Sequence, residues 1–234
     1  YRTGQPNRFP SRQIRNVYRG TSSLVPRCFL ARPSYASVQG VLEEISARGG
    51  RLALSTVSKA LKVLEEDLLI RRDGRSSVLI QPEEMMSKLA ESYGPPSVLA
   101  RKKYTWKREP RELLYDTEEW GRGMVLTGES SAELYTTIGR ERIQRYYCKA
   151  IEPIEKRLWE YLEESPRFAD VELIETRDPT VFFDSRSENG LPASSPLQTW
   201  LELQAGDKRQ VQTSEFARQR VLDELSAHGY GEVQ

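Results

Sequence analysis

The stretch Leu54-Ser55-Thr56-Val57-Ser58-Lys59-Ala60-Leu61-Lys62-Val63-Leu64-Glu65-Glu66, followed by Asp67-Leu68-Leu69-Ile70-Arg71-Arg72-Asp73-Gly74-Arg75-Ser76-Ser77-Val78-Leu79-Ile80, decides the fold. Val57, Ala60, Leu61 and Leu64 recur at i, i+3, i+4 and i+7, which lines them up on one side of a helix. At about 100° per residue, Ser55, Ser58, Lys59 and Lys62 fall on the opposite side. Acids are held back until Glu65, Glu66 and Asp67. Two β-prone runs then flank Asp73-Gly74, a dipeptide suited to tight hairpins, and the tip of the hairpin carries Arg71, Arg72 and Arg75. A helix with hydroxyls and lysines on one face, followed by an arginine-tipped hairpin, is the order of a winged helix-turn-helix.

Upstream, Ser37 reads as the N-cap of a helix whose apolar stripe is Val38, Val41, Leu42 and Ile45 and which stops at Gly49-Gly50. The stretch from Gly49 to Leu54 is longer than the turn of most helix-turn-helix motifs. A shorter helix is expected from Ser22, with Pro26 in its first turn and Pro33 ending it. Residues 1–21 show little periodicity and read as a basic arm carrying Arg12, Arg15 and Arg19.

Downstream, Pro82 to Tyr93 predicts a helix opened by proline, with Glu83 and Glu84 in its first turn. Gly94-Pro95-Pro96-Ser97 marks a domain boundary, and a basic connector follows with Arg101-Lys102-Lys103 and Lys107-Arg108. Beyond it, strands are expected at Met124–Leu126, Arg145–Ile151, Val171–Ile174 and Val181–Phe183. Helices are expected after Gly128, over Glu152–Glu164, from Ser195-Pro196 to Leu203, and from Ser214 to Ala227. The expected fold is α+β: an arm over residues 1–21, a winged helix-turn-helix domain over 22–96 and an acidic, separate α/β domain over 97–234.

The charge distribution follows the same division. Residues 1–110 hold 20 basic and 10 acidic side chains, whereas the remainder holds 15 and 24. The first 35 residues contain seven arginines and no acid. Such asymmetry points to a polyanion partner for one half only, although a basic stretch is also a common solvated tail. The 234 residues suffice for two modest domains. Cys28 and Cys148, far apart, are expected as reduced thiols in a cytoplasmic, nucleoid-associated protein. No run approaches the roughly 18 apolar residues of a membrane span, so no membrane partner is expected.

The expected partner is double-stranded operator DNA. Ser55, Thr56 and Ser58 are short enough to meet base edges in the major groove, and Lys59 and Lys62 meet its rim. Arg71, Arg72 and Arg75 of the wing, with Arg12, Arg15 and Arg19 of the arm, are candidates for phosphate contacts. A winged-helix adaptor that docks proteins is the alternative. Its candidate surface is aromatic (Tyr135, Trp159, Phe182, Phe183 and Trp200), although such spacing more often marks core.

The inventory argues against an enzyme. The single histidine, His228, lies near the C-terminus and supports neither a nucleophile–histidine pair nor a histidine metal site. Gly128-Glu129-Ser130-Ser131-Ala132 lacks the second glycine of a nucleophile elbow and reads as a strand-to-helix turn. A nuclease could use Asp170, Glu172, Glu175, Asp178 and Asp184, which cluster along the sequence, but Glu172 alternates with apolar residues as on a half-exposed sheet. No catalytic residue, cofactor or metal is expected.

Residues 22–93 resemble the winged-helix domain of the AbiE-type antitoxins, transcriptional regulators of type IV toxin–antitoxin systems. Ser55 through Ile70 is similar to their recognition helix and wing entry, and Pro82-Glu83-Glu84-Met85-Met86 to the helix closing that domain. Val125-Leu126-Thr127-Gly128-Glu129-Ser130-Ser131-Ala132-Glu133-Leu134-Tyr135 resembles the family's strand-to-helix turn in the C-terminal domain. Gly190 through Leu203, followed by Gly206-Asp207-Lys208-Arg209, resembles its late helix. Together these cover most of residues 22–225; the arm falls outside the likeness. The resemblance implies a repressor of its own promoter that antagonises a nucleotidyltransferase-type toxin without needing to bind it. A stand-alone regulator with no toxin partner is the other form such a protein takes.

Overall fold

The computed structural model describes residues 16–107, 123–135, 143–188 and 191–230. The molecule is mixed α+β, with two sheets and eight α-helices among the described residues. Arg12 and Arg15 lie outside them.

The N-terminal unit runs α1 (Leu24–Ala31), β1 (Ser34–Tyr35), α2 (Val38–Ala47), α3 (Leu54–Glu66), β2 (Ile70–Asp73), β3 (Ser76–Leu79) and α4 (Pro82–Ser92). The hairpin β2–β3 is extended by β1, so the small antiparallel sheet has the order β1-β3-β2. The helix bounds follow from local chemistry. The Ser37 side chain accepts from Gly40 N at 3.0 Å and caps α2. Pro82 stands in the first turn of α4, with Glu83 and Glu84 behind it. Ile45, Val41, Val57, Ala60, Leu61 and Leu64 are wholly buried, so the predicted stripes of α2 and α3 do face the core. β1 is too short to leave a signal in sequence.

The second half contributes β4 (Val98–Trp106), β5 (Met124–Leu126), α5 (Gly128–Ala132), β6 (Gln144–Cys148), α6 (Glu152–Leu158), β7 (Leu162–Glu164), β8 (Val171–Thr176), β9 (Arg186–Glu188), β10 (Leu191–Ala193), α7 (Pro196–Gln204) and α8 (Lys208–Ala227). Its sheet has the order β7-β4-β8-β6-β5-β10-β9, with β6 parallel to β8, β5 parallel to β10 and the other neighbours antiparallel.

Several expectations are corrected. The basic connector is the long strand β4, paired with β8 on one side and β7 on the other. Its cations are tolerated in a sheet because Lys102 reaches Glu155 at 2.7 Å and Arg101 reaches Glu172 at 3.3 Å. The helix expected over Glu152–Glu164 ends at Leu158, because Leu162–Glu164 pairs with Tyr104–Trp106 as an edge strand. Val181 and Phe182 belong to a 3-10 turn, Pro179–Phe182, capped by Asp178 Oδ1 accepting from Thr180 N at 2.9 Å. Glu172 is not on a half-exposed face: β8 is central, and the side chain is buried between Arg101 and Arg145. The last helix starts at Lys208 because Asp207 and Gln210 form a capping box.

The break at Gly94–Ser97 separates the sheets but not the core. Leu197, Trp200 and Leu201 of α7, and Ala217, Val221 and Leu225 of α8, belong to the same buried cluster as Leu24, Phe29, Leu61 and Leu89. Each buried leucine or valine among them stabilises the association by about 1.5–3 kcal/mol relative to exposure. A second cluster lies between the large sheet and α6, around Tyr146, Leu173 and Ile154.

Candidate nucleic-acid interface

Burying Val57, Ala60, Leu61 and Leu64 leaves the opposite side of α3 to solvent. Ser55, Ser58, Lys59 and Lys62 are exposed there and Thr56 is half-exposed. Lys62 approaches Glu66 Oε1 at 3.6 Å, but the two side chains are 74% and 60% exposed. An exposed i,i+4 pair of this kind is weak and exchanges its partner readily. Among the described residues no carboxylate pairs with Lys59.

The amino end of α3 is bare. Its N-cap is Ala53, which offers no side-chain acceptor, and the first turn holds no acid. Unsatisfied N–H groups and the positive end of the helix dipole therefore face outward at Ser55. Arg51 is exposed two residues before that cap and has no carboxylate partner among the described residues. Sequence reading passed over Arg51; its signal is an arginine within the stretch that feeds the exposed helix end.

The hairpin turns on Gly74 and Arg75, because Asp73 pairs with Ser76. Gly74 takes a φ of +57°, which glycine adopts without Cβ cost. Arg71 and Arg75 are exposed, with no carboxylate partner among the described residues. Arg72 points the other way: it lies 3.5 Å from Glu65 of α3, and its Nε is buried without a hydrogen-bond partner among the described residues. Arg72 thus ties the hairpin to α3 while its neighbours stay free.

Arg19 does not join this surface. Tyr18 donates to Asp67, just past the carboxyl end of α3, and Lys88 stands over the Tyr18 ring at 5.8 Å. The Arg19 guanidinium lies beside Gly94. The root of the arm is therefore at the far end of α3, a helix about 20 Å long, from Ser55.

The acids weighed for nuclease chemistry all have structural partners. Asp170 accepts from Thr105 Oγ1 at 2.6 Å and Trp106 N at 3.2 Å. Glu175 accepts from Ile151 N at 3.0 Å. Asp184 holds Arg48 and Arg186, and Asp178 caps its 3-10 turn. Among the described residues, no group of three or more His, Cys, Asp or Glu is placed to hold a metal ion. Burial pushes both the Cys28 and Cys148 thiols up to about 12, so neither is a thiolate nucleophile. Of the five aromatics weighed as an adaptor surface, Trp200 and Phe183 are core, Phe182 is half-buried and Tyr135 is half-buried with its hydroxyl on Ser194 O; only Trp159 is exposed. No helix among the described residues is long and apolar enough to cross a membrane.

Comparison with protein-family models, with curated proteins and with solved structures gives no match.

Proposed function

We propose that the chain is a sequence-specific duplex-DNA reader that regulates transcription, built as a winged helix-turn-helix on an α/β support. α3 is the recognition helix and β2–β3 the wing. The observation that carries the reading is the outward face of α3, where hydroxyls stand at the bare amino end, lysines follow, and no acid intervenes before Glu65. Ser55, Thr56 and Ser58 meet base edges, and the uncapped N–H groups with Arg51 and Lys59 meet phosphates. Arg71 and Arg75 reach the flanking backbone or minor groove. The resemblance to AbiE-type antitoxins extends the reading to an autorepressing antitoxin of a type IV toxin–antitoxin system, with a nucleotidyltransferase-type toxin as its antagonist.

The test is titration of the intact chain against labelled duplex from the region upstream of its own gene, at several salt concentrations. Affinity falls steeply with salt, by a slope of about 0.9 per phosphate neutralised. Replacing Lys59 and Lys62 together by Glu abolishes binding and leaves the fold intact, because both side chains are solvated. Equal affinity of the double variant and the parent chain would remove α3 from the interface. Equal affinity for random duplex would leave a non-specific binder.

A further inference from the structure

The turn that delivers α3 is anchored from the other half of the molecule. α2 closes with Gly49 at a φ of +81°, and Gly50 N donates to Ile45 O at 2.8 Å. Together with Gly49 N donating to Ser46 O at 3.1 Å, this is a Schellman ending. It leaves the Arg48 carbonyl to be satisfied from elsewhere. Asp184 supplies the donor: its backbone N reaches Arg48 O at 2.9 Å. The Asp184 carboxylate also takes the Arg48 guanidinium at 2.5 Å and Arg186 at 3.0 Å.

Asp184 makes both contacts from a φ of +57°, one of only two non-glycine positive φ values among the described residues. Such a conformation persists where the surroundings hold it. The surroundings are a chain of alternating charges: Arg32 on Glu44 at 3.3 Å, Glu44 on Arg48 at 2.8 Å, then Asp184, Arg186, and Glu224 of α8 at 2.7 Å. The Arg48, Asp184, Arg186 and Glu224 side chains are only 14–25% exposed, so solvent screens these pairs less than the surface pairs on α3. Between Arg48 and the first residue of α3 lie only five residues.

We infer that Asp184 is a positioning residue for α3: the second half, through Asp184 and Arg48, fixes the α2–α3 turn and so the pose in which α3 is presented. The pose is a property of the described structure, while its use in reading DNA rests on the proposed function.

Two variants test this in the full-length chain. Asp184→Asn keeps the size and the tolerance of a left-handed backbone but removes the charge. Asp184→Gly keeps the backbone and removes the side chain. Amide hydrogen exchange over residues 49–57 is compared with that over α4, and duplex affinity is measured in parallel. In both variants exchange at Gly49, Gly50, Thr56 and Val57 rises about tenfold or more while α4 stays protected, which marks a local opening. Duplex affinity falls by about tenfold with the salt slope unchanged, because the phosphate-facing cations are all still present. Unchanged exchange over 49–57 overturns the inference, as does accelerated exchange with parental affinity. If the parent chain itself binds no duplex while exchange responds as expected, the positioning stands and the DNA reading falls.

Discussion

At the scale of single residues, Leu68 shows how a local rule yields to the surrounding fold. It sits just past α3 with a φ of +58° and 64% of its surface exposed. A leucine there carries the left-handed penalty of about 1–2 kcal/mol and recovers little by burial. It is tolerated because Leu69 N must reach Leu64 O at 2.9 Å to start β2 inside the core. Leu68→Asn, which accepts that backbone without glycine's entropy, is expected to stabilise the protein by about 0.5–1 kcal/mol. A urea midpoint that rises with an unchanged slope checks this. A lower midpoint would show that the Leu68 side chain is engaged.

At the scale of elements, Gly40 inside α2 and Gly50 just beyond it make opposite predictions. A Cβ on Gly50 would stand 2.7 Å from Ile45 Cγ2 and 3.0 Å from both Ile45 O and Leu24 Cδ1. Those atoms belong to a packed core, so Gly50→Ala is expected to cost about 1–3 kcal/mol. A Cβ on Gly40, inside the helix, meets only Ser37 Oγ at 3.5 Å. Gly40→Ala is expected to stabilise by about 0.5–1 kcal/mol through helix propensity. Thermal unfolding of the two variants side by side decides it, and destabilisation of both would mean that the Ser37 cap cannot share its space.

At the scale of the whole molecule, the junction of the halves is polar at its centre. Arg27 of α1 is buried and donates to Gln198 Oε1 at 2.6 Å and Thr180 O at 3.4 Å, and burial lowers its pKa. Gln198 donates to Glu202 at 2.6 Å, and Glu202 also accepts from Gly128 N at 2.7 Å and from the Thr127 hydroxyl. Burial raises the Glu202 carboxyl above its ordinary 4.5, outweighing the donors Thr127, Gln198 and Gly128 and the positive Arg27. A raised folded value means that its stabilising contribution is full below 4.5 and is lost as pH rises through that raised value. The urea midpoint of Glu202→Gln should therefore gain on the parent chain as pH rises above the ordinary 4.5. Parallel curves for the two proteins would rule this out.

The pattern of residues by itself determined α1 to α4, the hairpin, the buried stripes and the exposed hydroxyl–lysine face. Each depends on periodicity, caps and turn residues within a few positions of one another. The strand Met124–Leu126 and the helix opened by Ser195-Pro196 were legible in the same way, whereas tertiary structure decided the features that follow. β4 carries Arg101, Lys102 and Lys103, which look like a linker until Glu172 and Glu155 arrive from elsewhere to neutralise two of them. Leu162–Glu164 continues a helical pattern until Trp106 offers it an edge. Which of three neighbouring arginines turns inward, and that Asp184 pins the turn before α3, depend on partners 7 and 136 residues away. Local preference is written in neighbours along the chain, whereas charge burial and strand pairing are settled only by residues that the fold brings together.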